Sequence, residues 1–126
     1  MEAGLEHLSI GTLEHIDLLL VVVQPTYKTM LTADRTCDLA RQLGIAEVAF
    51  VANRVRRDAD VEQLRAFAAR HHADLVATIP EDEAVRRADA EARCVLDVAP
   101  GSPVVDALGR LADTLEDRLA AAGTAR

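Results

Sequence analysis

From Ile16 to Val23 the chain is almost uninterrupted hydrophobe, broken only by Asp17. A strand with one wet face alternates apolar and polar residues. This run does not alternate, so it is expected to be buried on both faces. That demand selects a parallel sheet covered by helices on each side, and the rest of the chain supplies the pieces. Gln24-Pro25 ends the run and Thr26 stands as an N-cap. Met30, Ala33, Cys37, Ala40 and Leu43 then recur three or four apart along one helical stripe. Gly44 follows where a helix commonly exits through a left-handed residue.

The alternation continues. A second strand is expected over residues 47–52, closing at Asn53-Arg54. A helix over 60–71 would turn Val61, Leu64, Phe67 and Ala68 inward. A third strand over 75–79 stops at Pro80, and residues 83–93 read as a short helix. Val95-Leu96-Asp97 reads as a brief extended piece. Ser102-Pro103 is an N-cap and first-turn pair for a final helix with Val105, Leu108, Leu111 or Ala112, Leu115 and Leu119 inward. The fold class is α/β, a doubly wound parallel sheet with flanking helices. It occupies one domain, residues 1–122, with 123–126 as a flexible tail.

Composition narrows the function. The 126 residues suffice for one domain. Its core must be aliphatic, because Tyr27, Phe50 and Phe67 are the only aromatics. A formal charge of −7 argues against a nucleic-acid partner, which needs clustered cations. Arg54, Arg56 and Arg57, like Arg86 and Arg87, read as solvated faces. Cys37 and Cys94 have no CxxC or CxH companion and read as small buried residues of a reduced, cytoplasmic protein. Leu18 to Val23 is too short to span a bilayer, so no membrane role is expected.

In doubly wound sheets ligands bind beyond the carboxyl ends of the strands. The informative segments lie there or beside it: Glu2–His7, Gln24–Lys28, Asn53-Arg54 and Pro80-Glu81-Asp82. The acidic, Gly-containing EAGLEH turn, a later GT, and a hydrophobic strand ending in QP resemble the deviant P-loop ATPases of the MinD/ParA class. VANRV, ATIPEDEAVRRAD and the closing APGSPVVDALGRLADTL are similar to the same family. Within it the resemblance is to the CooC-type accessory ATPases that insert nickel into carbon-monoxide dehydrogenase. It spans nearly the whole chain, set against the C-terminal half of a member.

That resemblance implies a partial P-loop NTPase fold lacking the N-terminal P-loop strand. It implies that Ala3, Gly4, Leu5 and Glu6 are the switch II loop. Asn53 matches the asparagine that hydrogen-bonds adenine, with Arg54 beside it, and Pro80, Glu81 and Asp82 match the loop that packs by the base. Intact relatives use ATP or ADP with magnesium and act as nucleotide-controlled dimers, with a metalloenzyme client. The partner expected here is a second copy or a complementing N-terminal half.

The departures are as informative. No Gly-rich loop ending in Gly-Lys-Ser/Thr occurs, and Lys28 is the only lysine. The aspartate expected just before EAG would precede Met1, and the Cys-x-Cys pair that holds metal between CooC subunits is missing. No catalytic set is complete, no metal site is assigned, and tight nucleotide binding by this chain alone is not expected. A truncated or split gene product is the expectation.

Plainer readings stand beside these. Asn53 alone would pass for a turn residue, and Pro80 for a strand stop. Glu6-His7 and Glu14-His15 lack a third ligand at zinc spacing. His71-His72 suits the negative end of a helix. A fragment of a partition or division ATPase is one rival, weakened by the acidic polar face of the tail. A non-enzymatic pseudo-ATPase that binds a partner through an open strand edge is another. A receiver domain fits poorly, since Gln24 and Ile79 occupy the places of its acceptor aspartate and lysine.

Overall fold

Strands β1 (Leu19–Val23), β2 (Val48–Val55) and β3 (Asp74–Pro80) pair in parallel, in the order β1-β2-β3. The structure is a computed structural model that describes residues 18–125, with side chains described to residue 120. Parallel neighbours need a crossover, and helices provide each one. Helix α1 (Tyr27–Gln42) joins β1 to β2, and α2 (Asp58–Arg70) joins β2 to β3. Helices α3 (Glu83–Ala90), α4 (Val95–Val98) and α5 (Pro103–Ala125) follow. The last helix therefore runs past residue 122, where the domain boundary was drawn from sequence.

Side-chain alternation sends each strand to two cores. On one face, Val21 and Val23 of β1 and Phe50 and Ala52 of β2 pack against Ala33 and Cys37 of α1 and Leu64, Phe67 and Ala68 of α2. On the other, Val51 and Ile79 pack against Val104 and Ala107 of α5, with Leu20, Val76, Ala77 and Leu111 beside them. Helices thus pack on both faces of the sheet, but β1 is not buried on both as its unbroken apolar run predicts: Val22 is 60% exposed, because α5 packs over β2 and β3.

Local chemistry sets the ends. Thr26 caps α1, its Oγ1 accepting from Thr29 N at 3.4 Å. At the other end Gly44 has φ of 75°, and Gly44 N and Ile45 N donate to Arg41 O and Ala40 O. This paired closure needs a left-handed residue, hence glycine. Asp60, 5% exposed, accepts from the backbone N–H groups of Arg56 and Arg57 at 3.1 and 3.2 Å. Those bonds, Arg56's foremost, hold its carboxyl below the usual range. They also start α2 two residues earlier than the expected Asp60.

Three details correct the sequence reading. Strand β2 does not stop at Ala52; it continues to Val55 through an irregularity in which Arg54 takes φ of 55°. Val95–Val98 is a single helical turn rather than an extended piece. Its backbone bonds are local, from Val98 N to Cys94 O and Ala99 N to Val95 O. On α5 the inward stripe is Val104, Ala107 and Leu111, one residue off the expected Val105 and Leu108. Leu108 and Leu119 are 38% and 51% exposed. Residues 104 and 105 are both valine, so the helical period fits either stripe; contact with β3 selects one.

Two cross-braces complete the frame. The His71 ring sits edge-on to Phe67 and beside Phe50, and its Nε2 lies 2.5 Å from Asp34 Oδ1 of α1. At the amino end of the sheet, Arg118 of α5 donates to Glu47 Oε1 at 2.6 Å and Asp74 Oδ2 at 3.1 Å.

Two outcomes follow. Phe50 is fully buried against Phe67, so Phe50→Ala should cost about 3–5 kcal/mol in denaturant unfolding, and Phe50→Leu much less. Burial pushes the Cys37 thiol up to about 11, whereas Cys94 is exposed. A maleimide should therefore label the native chain once, at Cys94, and Cys37 only after denaturation.

Candidate functional site

The carboxyl ends of β2 and β3 are held together. Val55 lies opposite Pro80, and Glu81 N donates to Val55 O at 2.9 Å. Because the strands are parallel, the residues that follow each one emerge side by side. Glu81 then joins both segments: Arg54 Nη2 and Arg56 Nη2 donate to its Oε1 at 3.2 and 3.1 Å, and Arg56 Nε donates to its Oε2. The Arg56 guanidinium, then Arg54, holds the Glu81 carboxyl below the usual range, and Glu81 in turn raises Arg56.

Within this frame, Asn53 Oδ1 accepts from Arg54 N at 3.0 Å. This local bond accompanies the left-handed turn at Arg54. Its Nδ2 has no partner among the described residues, which leaves two N–H donors for a ligand. Asp82 caps α3: its Oδ1 accepts from Ala84 N at 2.9 Å. The other oxygen, Oδ2, is buried with no hydrogen-bond partner. A buried acceptor without a donor is costly, so this oxygen is a strained point at the start of α3.

The structure thus brings Asn53, Arg54, Pro80, Glu81 and Asp82 to one place. Ala3, Gly4, Leu5 and Glu6 lie outside the described residues, as do Glu6-His7 and Glu14-His15. At the third strand end, Thr29 Oγ1 donates to Gln24 O at 2.7 Å and accepts from Gln24 N at 3.2 Å, tightening the QPT turn.

Sequence reasoning missed Arg56, read there as part of a solvated face. Its signal was opposite charge at equivalent ends of adjacent parallel strands. Arg57, in the same triplet, pairs with Asp60 at 3.3 Å. A groove of about 440 Å³ lies elsewhere, beside the amino end of β3, lined by Arg65, Ala73, Asp74, Leu75, Thr114 and Arg118 among others. Among the described residues no group of three or more His, Cys, Asp or Glu is placed to hold a metal ion. No helix among them is long and apolar enough to cross a membrane.

No protein-family profile matches the chain. Over 100 residues, 79% of its length, it is 37% identical to the carbon monoxide dehydrogenase accessory protein CooC of Rhodospirillum rubrum, of which the match covers 37%. The chain is a sequence relative of CooC over that stretch. An uncharacterized ATP-binding protein of Methanocaldococcus jannaschii is 43% identical over 65 residues, 52% of this chain and 25% of that protein. Among solved structures, the MinD cell division protein of Aquifex aeolicus superposes with a TM-score of 0.70 at 18% identity, covering 84% of this chain and 46% of that one. Such a likeness carries the α/β fold of the class. The chain spans less than half the length of each.

In it, Glu81→Gln should loosen the two strand ends. The Glu81 carboxyl is depressed in the fold, so its contribution is complete above its ordinary value of 4.5 and is lost as acid drives the pH down through the lowered one. The melting-temperature gap between the parent chain and Glu81→Gln should therefore be small but present at pH 7. It should close on acidification, as thermal melts across pH 7 to 3 would show.

Proposed function

We propose that this chain forms the adenosine-recognising side of a nucleotide site in an ATP-dependent metal-centre maturation factor. The metal cargo on this reading is nickel destined for carbon-monoxide dehydrogenase, and the chain alone does not hydrolyse ATP. The observation that carries the reading is the joining of the Asn53-Arg54 and Pro80-Glu81-Asp82 segments by one carboxylate. Free amide donors on Asn53 and a partnerless acceptor on Asp82 stand on those two segments.

The donor set fits a nucleoside. Asn53 Nδ2 would donate to a ring nitrogen of the base, and the second lone pair of Oδ1 would accept from an exocyclic amine. Asp82 would hold the start of α3 beside the base, its Oδ1 accepting from Ala84 N. Pro80, rigid and without an N–H, would offer an apolar edge to the base. Glu81 touches no ligand on this reading; it fixes the spacing of the two segments. ATP in a complete site supplies the phosphoryl group and the charge that magnesium neutralises. Phosphoryl transfer needs amides, a lysine and magnesium ligands aimed at that charge. The segments described here supply none of those groups.

The metal-handling half of the reading rests on the kinship with CooC. Cys37 is buried and Cys94 exposed on separate elements, so the two are not an intrasubunit metal pair. Retention in the cytoplasm and assembly with a second polypeptide belong to the same proposal. A second reading, a partner-binding module without turnover, is favoured by Val22, 60% exposed on β1.

Two measurements decide between them. Phosphate release from ATP by the purified chain should not exceed background; turnover that Asn53→Ala abolishes would overturn the half-site proposal. Titration with ADP should show weak binding, reduced about two- to tenfold by Asn53→Ala, the value of one hydrogen bond. Equal binding by both proteins would remove the base-recognition role.

A further inference from the structure

Past Ala52 the side-chain alternation of β2 breaks. Phe50 and Ala52 belong to the core under α1 and α2, and Val55 packs against that same core. Strict alternation would put residue 54 there and turn Val55 to the α5 face. The register gives the cause. Ala52 lies opposite Thr78 and Val55 opposite Pro80, so Asn53 and Arg54 together face the single residue Ile79. That is a β-bulge, and it takes both side chains out of either core. Asn53 is left half-buried and Arg54 exposed.

The bulge closes on Arg54, whose φ is 55°. This is the left-handed region, where glycine is the ordinary occupant and a side chain is a cost. The arginine is fastened at both ends. Its N–H donates to Asn53 Oδ1 at 3.0 Å, and its Nη2 donates to Glu81 Oε1 at 3.2 Å. Arg56 grips the same carboxylate, so Glu81 is itself anchored. The consequence falls on Asn53. A side-chain amide can present its oxygen or its nitrogen to a given side, and rotation about one bond exchanges them. With Oδ1 held by the Arg54 N–H, that rotation is blocked and the sense of the amide is set.

We infer that Arg54 is a positioning residue: the clasp of its guanidinium on Glu81 holds the left-handed turn, and the turn fixes the sense of the Asn53 amide. The inference rests on the nucleotide reading proposed above and adds to it a source of base selectivity. Adenine offers a ring-nitrogen acceptor beside an exocyclic amine donor. Hypoxanthine offers, in the same two places, a ring N–H donor and a carbonyl acceptor. A fixed amide matches the first pattern and sets like groups against like in the second, whereas a freely turning amide matches both. Glycine at position 54 would take the same φ without strain, yet nothing would fasten it to Glu81.

The test is titration of the full chain with ADP and with inosine diphosphate, followed by NMR. The parent should bind ADP up to about tenfold more tightly, the value of one hydrogen bond. Arg54→Ala should bring the two ligands within about twofold of each other. Arg54→Lys should keep most of the preference, because the single bond to Glu81 is one that an ammonium can replace. A change that only loosened the strand ends would weaken both ligands alike and leave their ratio untouched. In the nucleotide-free chain, the Arg54 amide should exchange about three- to tenfold faster in Asn53→Ala than in the parent. An unchanged ADP preference in Arg54→Ala, or an Arg54 amide indifferent to Asn53→Ala, would overturn the inference. Failure of both nucleotides to bind the parent would overturn the nucleotide reading and the selectivity with it. The exchange measurement would still show whether the Arg54–Asn53 bond exists, so the two failures are told apart.

Discussion

Strand β2 is paired on both edges and buried on both faces, and the remaining elements take their positions from it. Phe50 and Ala52 face the core made by α1 and α2, and Val51 faces α5. A backbone so enclosed must satisfy its polar groups by ladder bonds, which forces β1 and β3 into register beside it. Past Ala52 the ladder slips a second time, and the strand gains freedom to take the left-handed turn at Arg54. The placement of Asn53 and Arg54 is thus a consequence of where packing ends.

Much of this was legible in the residues. The unbroken Leu-Val run marks a strand of a parallel sheet and Gly44 a helix exit, although Val22 leaves one face of that strand partly open. The elements that escaped share a cause: their state is decided by a surface remote in sequence. The Val104-Val105 pair satisfies the helical period in either rotation, and only β3 chooses. Val95-Leu96-Asp97 looks like a strand by composition but has no ladder to join, so it closes on itself. Arg56 looked solvated because its partner, Glu81, is separated from it by a whole helix and strand.

On the proposed reading, the candidate site matches one end of a nucleotide in chemical type. It offers amide donors and a rigid apolar ring, the vocabulary of base recognition. It lacks converging backbone amides and a lysine, the vocabulary of phosphate. Kinship with CooC is consistent with the first set. On the proposed reading, recognition and phosphoryl chemistry would sit on separable parts of the site.

The Arg118 brace has a mechanical consequence. By gripping Glu47 and Asp74, which lead into β2 and β3, it clamps the floor of the sheet to the far end of α5. The roof has a counterpart in Glu81, and both fastenings are open to water, so salt should slacken the roots and the tips of the sheet together.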